Sequence, residues 1–453
     1  MKSINPATEE PIAEYPQHTP AQIEKRLRRA ESAFDAWRRT RCHDERTPYM
    51  KSAANLLRSR RAELSKLMVR EMGKPITGAE QEIDKCADAC DYFAEHAEAL
   101  LANEPIESDA TRSYVRFDPI GPVLAIMPWN FPFWQVIRFA APNLMAGNVG
   151  VLKHSPNVIG CALAIEQLFR DAGFPDGVFT TLLVDTPMVQ RIIEHPAIRA
   201  VTLTGSERAG RAVAAEAGSV LKKTVLELGG SDPFIVLADA DIGAVAKSAA
   251  AARCINSGQS CIAAKRFIVE ETAADEFEAA FALAMAELVV GDPSKRETQV
   301  GPLARRDLME NLADQVTRSV KAGARVVVGG HQRDKGFYYA PAVLADVRPG
   351  MAVFDEETFG PVAAVARAGD EHDLIWLANV TKYGLGASIW TRDLDRAERL
   401  AARIEAGNVF VNGPVKSDPR LPFGGIKTSG YGRELGLMGI REFVNAKTVW
   451  VKG

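Results

Sequence analysis

Short apolar runs that alternate with helix-type patterns are the feature that most constrains the fold. Beyond the polar stretch at 103–113, continuous apolar segments of strand length are separated by segments with helical periodicity. This texture is typical of parallel strands that are covered by helices on both faces of a sheet. The runs are PVLAIMPWN, VGVLKHSPN, VFTTLLV, AVTLTGS and TVLELGG, and then KRFIVEE, ARVVVGG, GPVAAVA, LGASIWT and GNVFVN. Because the alternation restarts, the sequence predicts an α/β fold with two parallel-sheet domains in series.

The first hundred residues have a different pattern, which predicts helices. In the segment 19–40, Thr19 and Gln22 have the spacing of a capping box, and apolar residues then recur at steps of three and four. A second helix is predicted over Tyr49–Met72, where Gly73 follows, and a third over Ala79–Leu101.

Composition and charge exclude several classes of protein. The 453 residues are 47% hydrophobic and 25% charged, with a net charge of -3 and without a basic block, so nucleic acid is not an expected partner. The start of the sequence lacks the apolar core of a signal peptide, and the apolar runs are too short to span a membrane. We therefore expect a cytoplasmic protein that does not bind membranes.

Cysteine and histidine usage argues against a metal site. The six cysteines are too sparse for a disulfide framework, and the seven histidines form no His-x-x-x-His pair. Cys86 and Cys90 are four residues apart on a predicted helix, but free cysteine is more often a small buried residue. No metal is predicted.

Polar residues stand at the ends of four of the predicted strands. They are Asn130, Lys153, Ser206 and Glu227. Ligands of open parallel sheets bind beyond the carboxyl ends of the strands, so these side chains could line one crevice. The turn at Gly205 and Ser206 could bind a phosphate at the positive end of a helix, or it could be a plain helix cap.

Cys261 lies in the segment NSGQSCIAAK, among small residues that would let a substrate approach the backbone. The thiol is either a nucleophile or a small apolar residue of the core, and local sequence leaves both interpretations open.

Seven motifs in fixed order decide between these interpretations. They are MPWNFPFW, VLKHSPN, LTGS, LELGGSDPFIV, NSGQSCIAAKR, EETFGPV and LPFGGIKTSGYGREL. Together they resemble the NAD(P)-dependent aldehyde dehydrogenase superfamily over essentially the whole chain, and most closely its short bacterial succinate-semialdehyde dehydrogenases.

The resemblance implies the catalytic roles. Cys261 matches the nucleophile, Glu227 the general base that activates water, and Asn130 a donor to the oxyanion. A thiolate would attack the aldehyde, hydride would pass to the nicotinamide, and the thioester would be hydrolysed. Relatives that form acyl-coenzyme A tend to lack the base, so Glu227 favours release of a free carboxylate.

The resemblance also implies a cofactor site, for NAD or NADP. In NAD-preferring relatives a glutamate often stands three residues after the lysine that matches Lys153. This chain has Pro156 at that position, so a 2′-phosphate would not be repelled there. The implied cofactor-binding residues are Pro128, Trp129, Lys153, Ser155, Gly205, Ser206, Leu228, Glu357 and Phe359.

The substrate implied is an aldehyde with a distal carboxylate. The segment NFPFWQVIRFA should form a helix that starts at Asn130 and carries Trp134 and Arg138. The implied substrate-binding residues are Arg138, Trp134 and Ser417, of which Arg138 and Ser417 match the carboxylate contacts. Lys416 and Arg420 could add charge. Many semialdehyde enzymes carry another arginine six residues before the nucleophile, where this chain has Ile255. Succinate semialdehyde is the expected substrate, and glutarate semialdehyde or a wider range of aldehydes is the alternative.

The domain plan and assembly follow from the same resemblance. It implies a cofactor-binding domain over 1–102 and 119–229, a catalytic domain over 230–427, and oligomerisation segments over 103–118 and 440–453. The alternating segment TVWVK near the end suits an edge strand that would seek a partner, so a homodimer or homotetramer is expected.

Overall fold

A computed structural model describes residues 1–453, apart from the side chain of His43. The strands are β1 (Lys2–Ile4), β2 (Pro11–Glu14), β3 (Glu104–Pro105), β4 (Arg112–Pro119), β5 (Pro122–Met127), β6 (Val149–His154), β7 (Phe179–Thr181), β8 (Ala200–Thr204), β9 (Lys223–Glu227), β10 (Pro233–Val236), β11 (Arg266–Glu270), β12 (Arg325–Val328), β13 (Ala342–Ala345), β14 (Val362–Ala368), β15 (Gly386–Trp390), β16 (Asn408–Val411), β17 (Gly430–Tyr431) and β18 (Val444–Val451). The helices are α1 (Pro20–Trp37), α2 (Thr47–Ser59), α3 (Arg61–Met72), α4 (Ile76–Leu100), α5 (Trp134–Met145), α6 (Ile159–Asp171), α7 (Pro187–Glu194), α8 (Glu207–Ser219), α9 (Ile242–Cys254), α10 (Glu271–Ala286), α11 (Arg306–Lys321), α12 (Ala352–Asp355), α13 (Glu371–Asn379), α14 (Leu394–Ala401) and α15 (Gly436–Arg441).

Two large sheets confirm the predicted α/β fold. The first has the order β17-β9-β8-β5-β6-β7 and the second the order β12-β13-β14-β11-β10-β15-β16. Neighbouring strands within them are parallel, except that β17 and β12 are antiparallel edge strands. These antiparallel edges have no clear signal in the sequence, because each is a very short or partly exposed strand.

The carboxyl ends of the first sheet carry the predicted polar residues. β9 ends at Glu227, which lies opposite Thr204 of β8 on one side and Gly430 of β17 on the other. Lys153, on β6, lies opposite Ile126 of β5. The parallel arrangement therefore brings these strand ends to one edge of the sheet.

A third sheet has the order β18-β4-β3, so the two segments expected to take part in oligomerisation pair with each other. β18 is an edge strand of this sheet. Trp450 and Val451 on it are 47% and 39% exposed. The division of the chain into cofactor-binding, catalytic and oligomerisation parts stays a prediction.

The helical predictions need two corrections. α1 forms with the predicted capping box, in which Thr19 and Gln22 bond reciprocally. The single helix expected over Tyr49–Met72 is two helices, because the backbone at Arg60 leaves helical geometry between α2 and α3. Asn130 was expected at the start of a helix, but α5 begins at Trp134, so Asn130 lies in the turn before it. Among the described residues, the helices are all too short or too polar to cross a membrane.

Candidate active site

Cys261 lies where two cavities meet. One cavity, of about 180 Å³, is bounded by α4, α5 and the loop around Ser417. The other, of about 420 Å³, lies beyond the carboxyl ends of β5, β6, β8 and β9. Since Cys261 borders both, a group bound in either cavity would lie next to this residue. We call the first the substrate cavity and the second the cofactor cleft.

The environment of Cys261 keeps its thiol protonated at rest. Burial raises the pKa of Cys261 to about 12, while the charges of Arg138 and Lys265 act in the opposite direction. A thiolate is the nucleophilic form, so the thiol has to lose its proton before it can attack a carbonyl.

Asn130 lies beside the nucleophile, in the wall of the cofactor cleft. Its Nδ2 donates to the backbone carbonyl of Gln259 at 3.1 Å, and the backbone carbonyl of Asn130 accepts from Asn256 Nδ2 at 2.7 Å. These bonds tie the turn before α5 to the loop that carries Cys261. An amide fixed in this way is suited to donate to an oxyanion formed at the sulfur.

Glu227 is buried at the end of β9, where its carboxyl neighbours that of Glu434. Burial raises the pKa of Glu227 well above its ordinary value, and the charge of Glu434 raises it further. Its Oε1 has no hydrogen-bond partner among the described residues. Glu227 lines neither cavity in this arrangement, but it interacts electrostatically with Cys261. A protonatable carboxyl of this kind suits a general base that works near neutral pH.

The cofactor cleft brings together every residue predicted to bind the cofactor. Its lining includes Pro128, Trp129, Lys153, Ser155, Gly205, Ser206, Leu228, Glu357 and Phe359.

The cleft has the features that a dinucleotide needs. Ser206 caps α8 through a 3.3 Å bond from Ala209 N, which confirms the helix cap. The capped turn also borders the cleft, and phosphate binding there stays a prediction. Lys153 is buried without an ion-pair partner among the described side chains. The rings of Trp129 and Phe359 meet edge to face at 5.7 Å. A positive helix end, a free ammonium and an aromatic wall fit a phosphate, a ribose and a nicotinamide.

The substrate cavity contains the three predicted substrate residues, Arg138, Ser417 and Trp134. Arg138 forms an ion pair with Glu434, and its Nη2 donates to Thr204 Oγ1 at 3.3 Å. Of the two further cations considered, Lys416 lies at the cavity rim, whereas Arg420 pairs with Asp418 outside it.

Residues 1–449 match the model of the aldehyde dehydrogenase family. The chain belongs to this family.

Relatives of this aldehyde dehydrogenase carry a narrower description. The chain is 49% identical over its whole length to a probable NADP-dependent succinate-semialdehyde dehydrogenase of Synechocystis, covering 99% of that protein. It is 48% identical to the NAD(P)-dependent succinate semialdehyde dehydrogenase Sad of Escherichia coli, over 99% of this chain and 97% of that one. The crystal structure of the Streptococcus pyogenes succinic semialdehyde dehydrogenase with NADP+ superposes with a TM-score of 0.98 at 37% identity, covering both chains completely.

The loop before the nucleophile of this aldehyde dehydrogenase has an unusual backbone. Asn256, Ser257 and Gly258 have φ values of 52°, 58° and 77°, all in the left-handed region. A Cβ at residue 258 would lie 2.3 Å from the carbonyl carbon of Gly360, so only glycine fits there.

Lys265 holds the loop after the nucleophile. Its Nζ donates to the carbonyls of Ser260, Cys261 and Ala263 at 3.1, 2.9 and 3.0 Å. The ammonium therefore fixes the backbone around the sulfur and places a positive charge beside it.

Sequence analysis missed residues of α4 that build the site. Lys85 lines the substrate cavity, and Glu82 accepts from the backbone N–H groups of Phe133 and Trp134, each at 2.9 Å, at the start of α5. A lysine and a glutamate on an amphipathic helix carry no sequence signal of their own, because most such residues face water. Only the packing of α4 against α5 reveals their position.

Proposed function

We propose that this aldehyde dehydrogenase oxidises succinate semialdehyde to succinate with NAD(P)+. The observation that carries the proposal is a cationic substrate cavity that ends at Cys261, on the far side of which lies the cofactor cleft. Arg138 and Ser417 give this cavity the donors that a distal carboxylate requires. The succinate-semialdehyde dehydrogenases to which the chain is similar support the same substrate.

Cys261 begins the reaction. Its sulfur, after losing the proton, forms a bond to the aldehyde carbon, and the carbonyl electron pair moves to oxygen. Asn130 Nδ2 and the backbone N–H of Cys261 would donate to this oxygen, each contributing about 3 kcal/mol as in comparable oxyanion holes. A bound nicotinamide supplies the acceptor for the hydride that leaves the tetrahedral carbon.

Glu227 completes the reaction. We assign it to remove a proton from the water that attacks the thioester, which releases the carboxylic acid and returns the sulfur as leaving group. Its raised pKa supports this role, since a carboxylate with an ordinary pKa would be a weak base. Hydrolysis, rather than transfer to coenzyme A, is the outcome we propose.

The cofactor cleft suits NADP+ as well as NAD+. Lys153 and Ser155 are on its wall, and the position three residues after the lysine is the exposed Pro156. Glu357 is the acidic residue of the lining, and it is engaged by the backbone N–H of Gly230 at 3.0 Å. We therefore propose that a 2′-phosphate is accepted near Lys153.

A panel of aldehydes tests the proposal. The values of kcat/KM for succinate semialdehyde, glutarate semialdehyde and butanal are measured with NAD+ and with NADP+. We expect succinate semialdehyde to exceed butanal by at least tenfold, and Cys261→Ser to abolish turnover of all three. Higher values for glutarate semialdehyde would transfer the assignment to that substrate, and equal values for all three would indicate a general aldehyde dehydrogenase.

We also propose a homodimer or homotetramer in the cytoplasm. The free edge of β18, with Trp450 and Val451 exposed, supports pairing with a second copy. The cysteines are all free thiols, as is usual for proteins of a reducing compartment.

A further inference from the structure

Lys85 is a cation of the substrate cavity that reaches it from α4. Its Nζ donates to Ser417 Oγ at 2.7 Å and lies 4.1 Å from the centre of the Trp134 ring. Both neighbours are residues that the sequence assigns to the substrate. The ammonium is therefore part of the same wall and faces the same space.

Lys85 is half-buried, and it differs from the two buried cations of this cavity in having no carboxylate partner. Arg138 is paired with Glu434, and Lys74 is paired with Glu82. Among the described side chains, no carboxylate lies within ion-pair distance of Lys85 Nζ. Each of the two ion pairs is neutral as a unit, so the half-buried Lys85 supplies a positive charge that no carboxylate pairs directly.

An unpaired ammonium in such a place is costly to the free protein. Burial, together with the positive charge of Arg138, lowers the pKa of Lys85 to about 8. A carboxylate that enters the cavity would compensate the charge, whereas an uncharged aldehyde would leave it unpaired. The free energy released by pairing would appear as preference for the charged substrate.

We propose that Lys85 is a specificity-determining residue, whose ammonium binds the distal carboxylate of the substrate together with Arg138 and Ser417. This rests on the proposed function, and it assigns the net charge of the recognition site to α4 rather than to α5. The ion pair with Glu434 leaves Arg138 to supply directed N–H donors, while Lys85 supplies the charge.

The test compares Lys85→Met with Lys85→Arg, and with Lys66→Met as the control. Lys66 is an exposed lysine on α3 that lines neither cavity. For Lys85→Met we expect KM for succinate semialdehyde to rise ten- to a hundredfold, with kcat within threefold, and the kcat/KM for butanal to be unchanged or higher. Lys85→Arg should retain most of the preference, and Lys66→Met should match the unmodified protein. Equal losses on both aldehydes would overturn the proposal.

Competition by succinate separates this inference from the proposed function. Succinate should inhibit butanal oxidation competitively. Of the three variants, only Lys85→Met should raise the inhibition constant of succinate at least tenfold. If succinate semialdehyde is a poor substrate of the unmodified protein, but inhibition by succinate still depends on Lys85, the substrate assignment fails and the role of Lys85 stands. If Lys85→Met keeps the full preference for succinate semialdehyde, the role of Lys85 fails and the substrate assignment stands.

The pH dependence of KM gives a second readout. The groups that influence Lys85 are Glu82 and Cys86 on α4, Arg138 on α5, and Asp418 on the loop after Ser417. The ammonium is lost as pH rises through the pKa of about 8, so KM for succinate semialdehyde should rise above that pH while KM for butanal does not. Lys85→Arg, which stays charged, should remove the rise. A rise that persists in Lys85→Arg would contradict the role.

Discussion

At the scale of single residues, the carboxyls of Glu227 and Glu434 are the least ordinary pair in the site. Both are buried, burial raises the pKa of each, and Arg138 lowers both. Two neighbouring carboxyls that share one guanidinium do not ionise independently. The pKa of Glu227, the proposed base of the hydrolysis step, is thus raised by Glu434, a residue near the end of the chain.

Glu434→Gln is expected to shift the pH profile of the reaction to lower pH. The change removes a charge that raises the pKa of Glu227 and leaves Arg138 free to lower it. The rate of thioester hydrolysis should therefore reach its plateau at a lower pH than in the unmodified protein. Steady-state kcat between pH 5 and 9 would show this shift, and Glu227→Gln should abolish the rise of kcat with pH. An unchanged midpoint in Glu434→Gln would contradict the coupling.

Pro156→Glu is expected to change the cofactor preference. The new carboxylate would stand three residues after Lys153, where it would repel a 2′-phosphate. We expect KM for NADP+ to rise by more than tenfold, with a much smaller effect on KM for NAD+. Pro156→Gln, which has nearly the same shape without the charge, is the control. A similar rise for both cofactors would point to a distorted turn instead of repulsion.

At the scale of elements, α4 holds α5 in place. Glu82 bonds the backbone at the start of α5, and its charge is compensated by Lys74. A carboxylate is favourable at a helix N-terminus, where backbone N–H groups lack partners. Since α5 carries Arg138 and Trp134, the position of these two proposed substrate-binding residues depends on this ion pair.

Removing one charge of the Lys74–Glu82 pair should lower the free energy of unfolding more than removing both charges. Lys74→Met would leave Glu82 buried without compensation, at a cost of about 3–5 kcal/mol of unfolding free energy. Glu82→Gln keeps an acceptor for the N–H groups of Phe133 and Trp134, so the double variant should be more stable than Lys74→Met alone. Urea unfolding of the two single variants and the double variant measures the coupling, and additive losses would argue against it.

The elements also show what the sequence could and could not predict. Apolar runs predicted most strands, and motifs at strand ends identified residues such as Lys153 and Glu227 that the parallel sheet brings to one edge. The strand β13 was not predicted, because a short run of small apolar residues has no distinguishing period. The place of Lys85 in the cavity wall was not predicted for another reason. Its role depends on which face of α4 meets α5, and this is a property of tertiary packing.

At the scale of the whole molecule, the sheet β18-β4-β3 is the surface on which assembly would occur. β18 presents a free edge, and an exposed edge with apolar residues is a template for a further strand. A second copy would cover Trp450 and Val451.

Replacing Trp450 and Val451 together by lysine is expected to weaken the assembly. Like charges on the facing edges would repel one another and leave apolar contacts unmade. Sedimentation velocity should show a shift towards smaller species at micromolar concentration. Trp376→Lys, at an equally exposed tryptophan on α13, is the control and should leave the distribution unchanged. Identical distributions for all three proteins would exclude this edge as the interface.

The position of Cys261 at the meeting point of two cavities has a consequence for covalent inhibition. An electrophile attached to a short acid would approach the sulfur through one opening, and an electrophile attached to an adenosine group through the other. Both reagents would consume the same atom, so prior labelling by either should block the other.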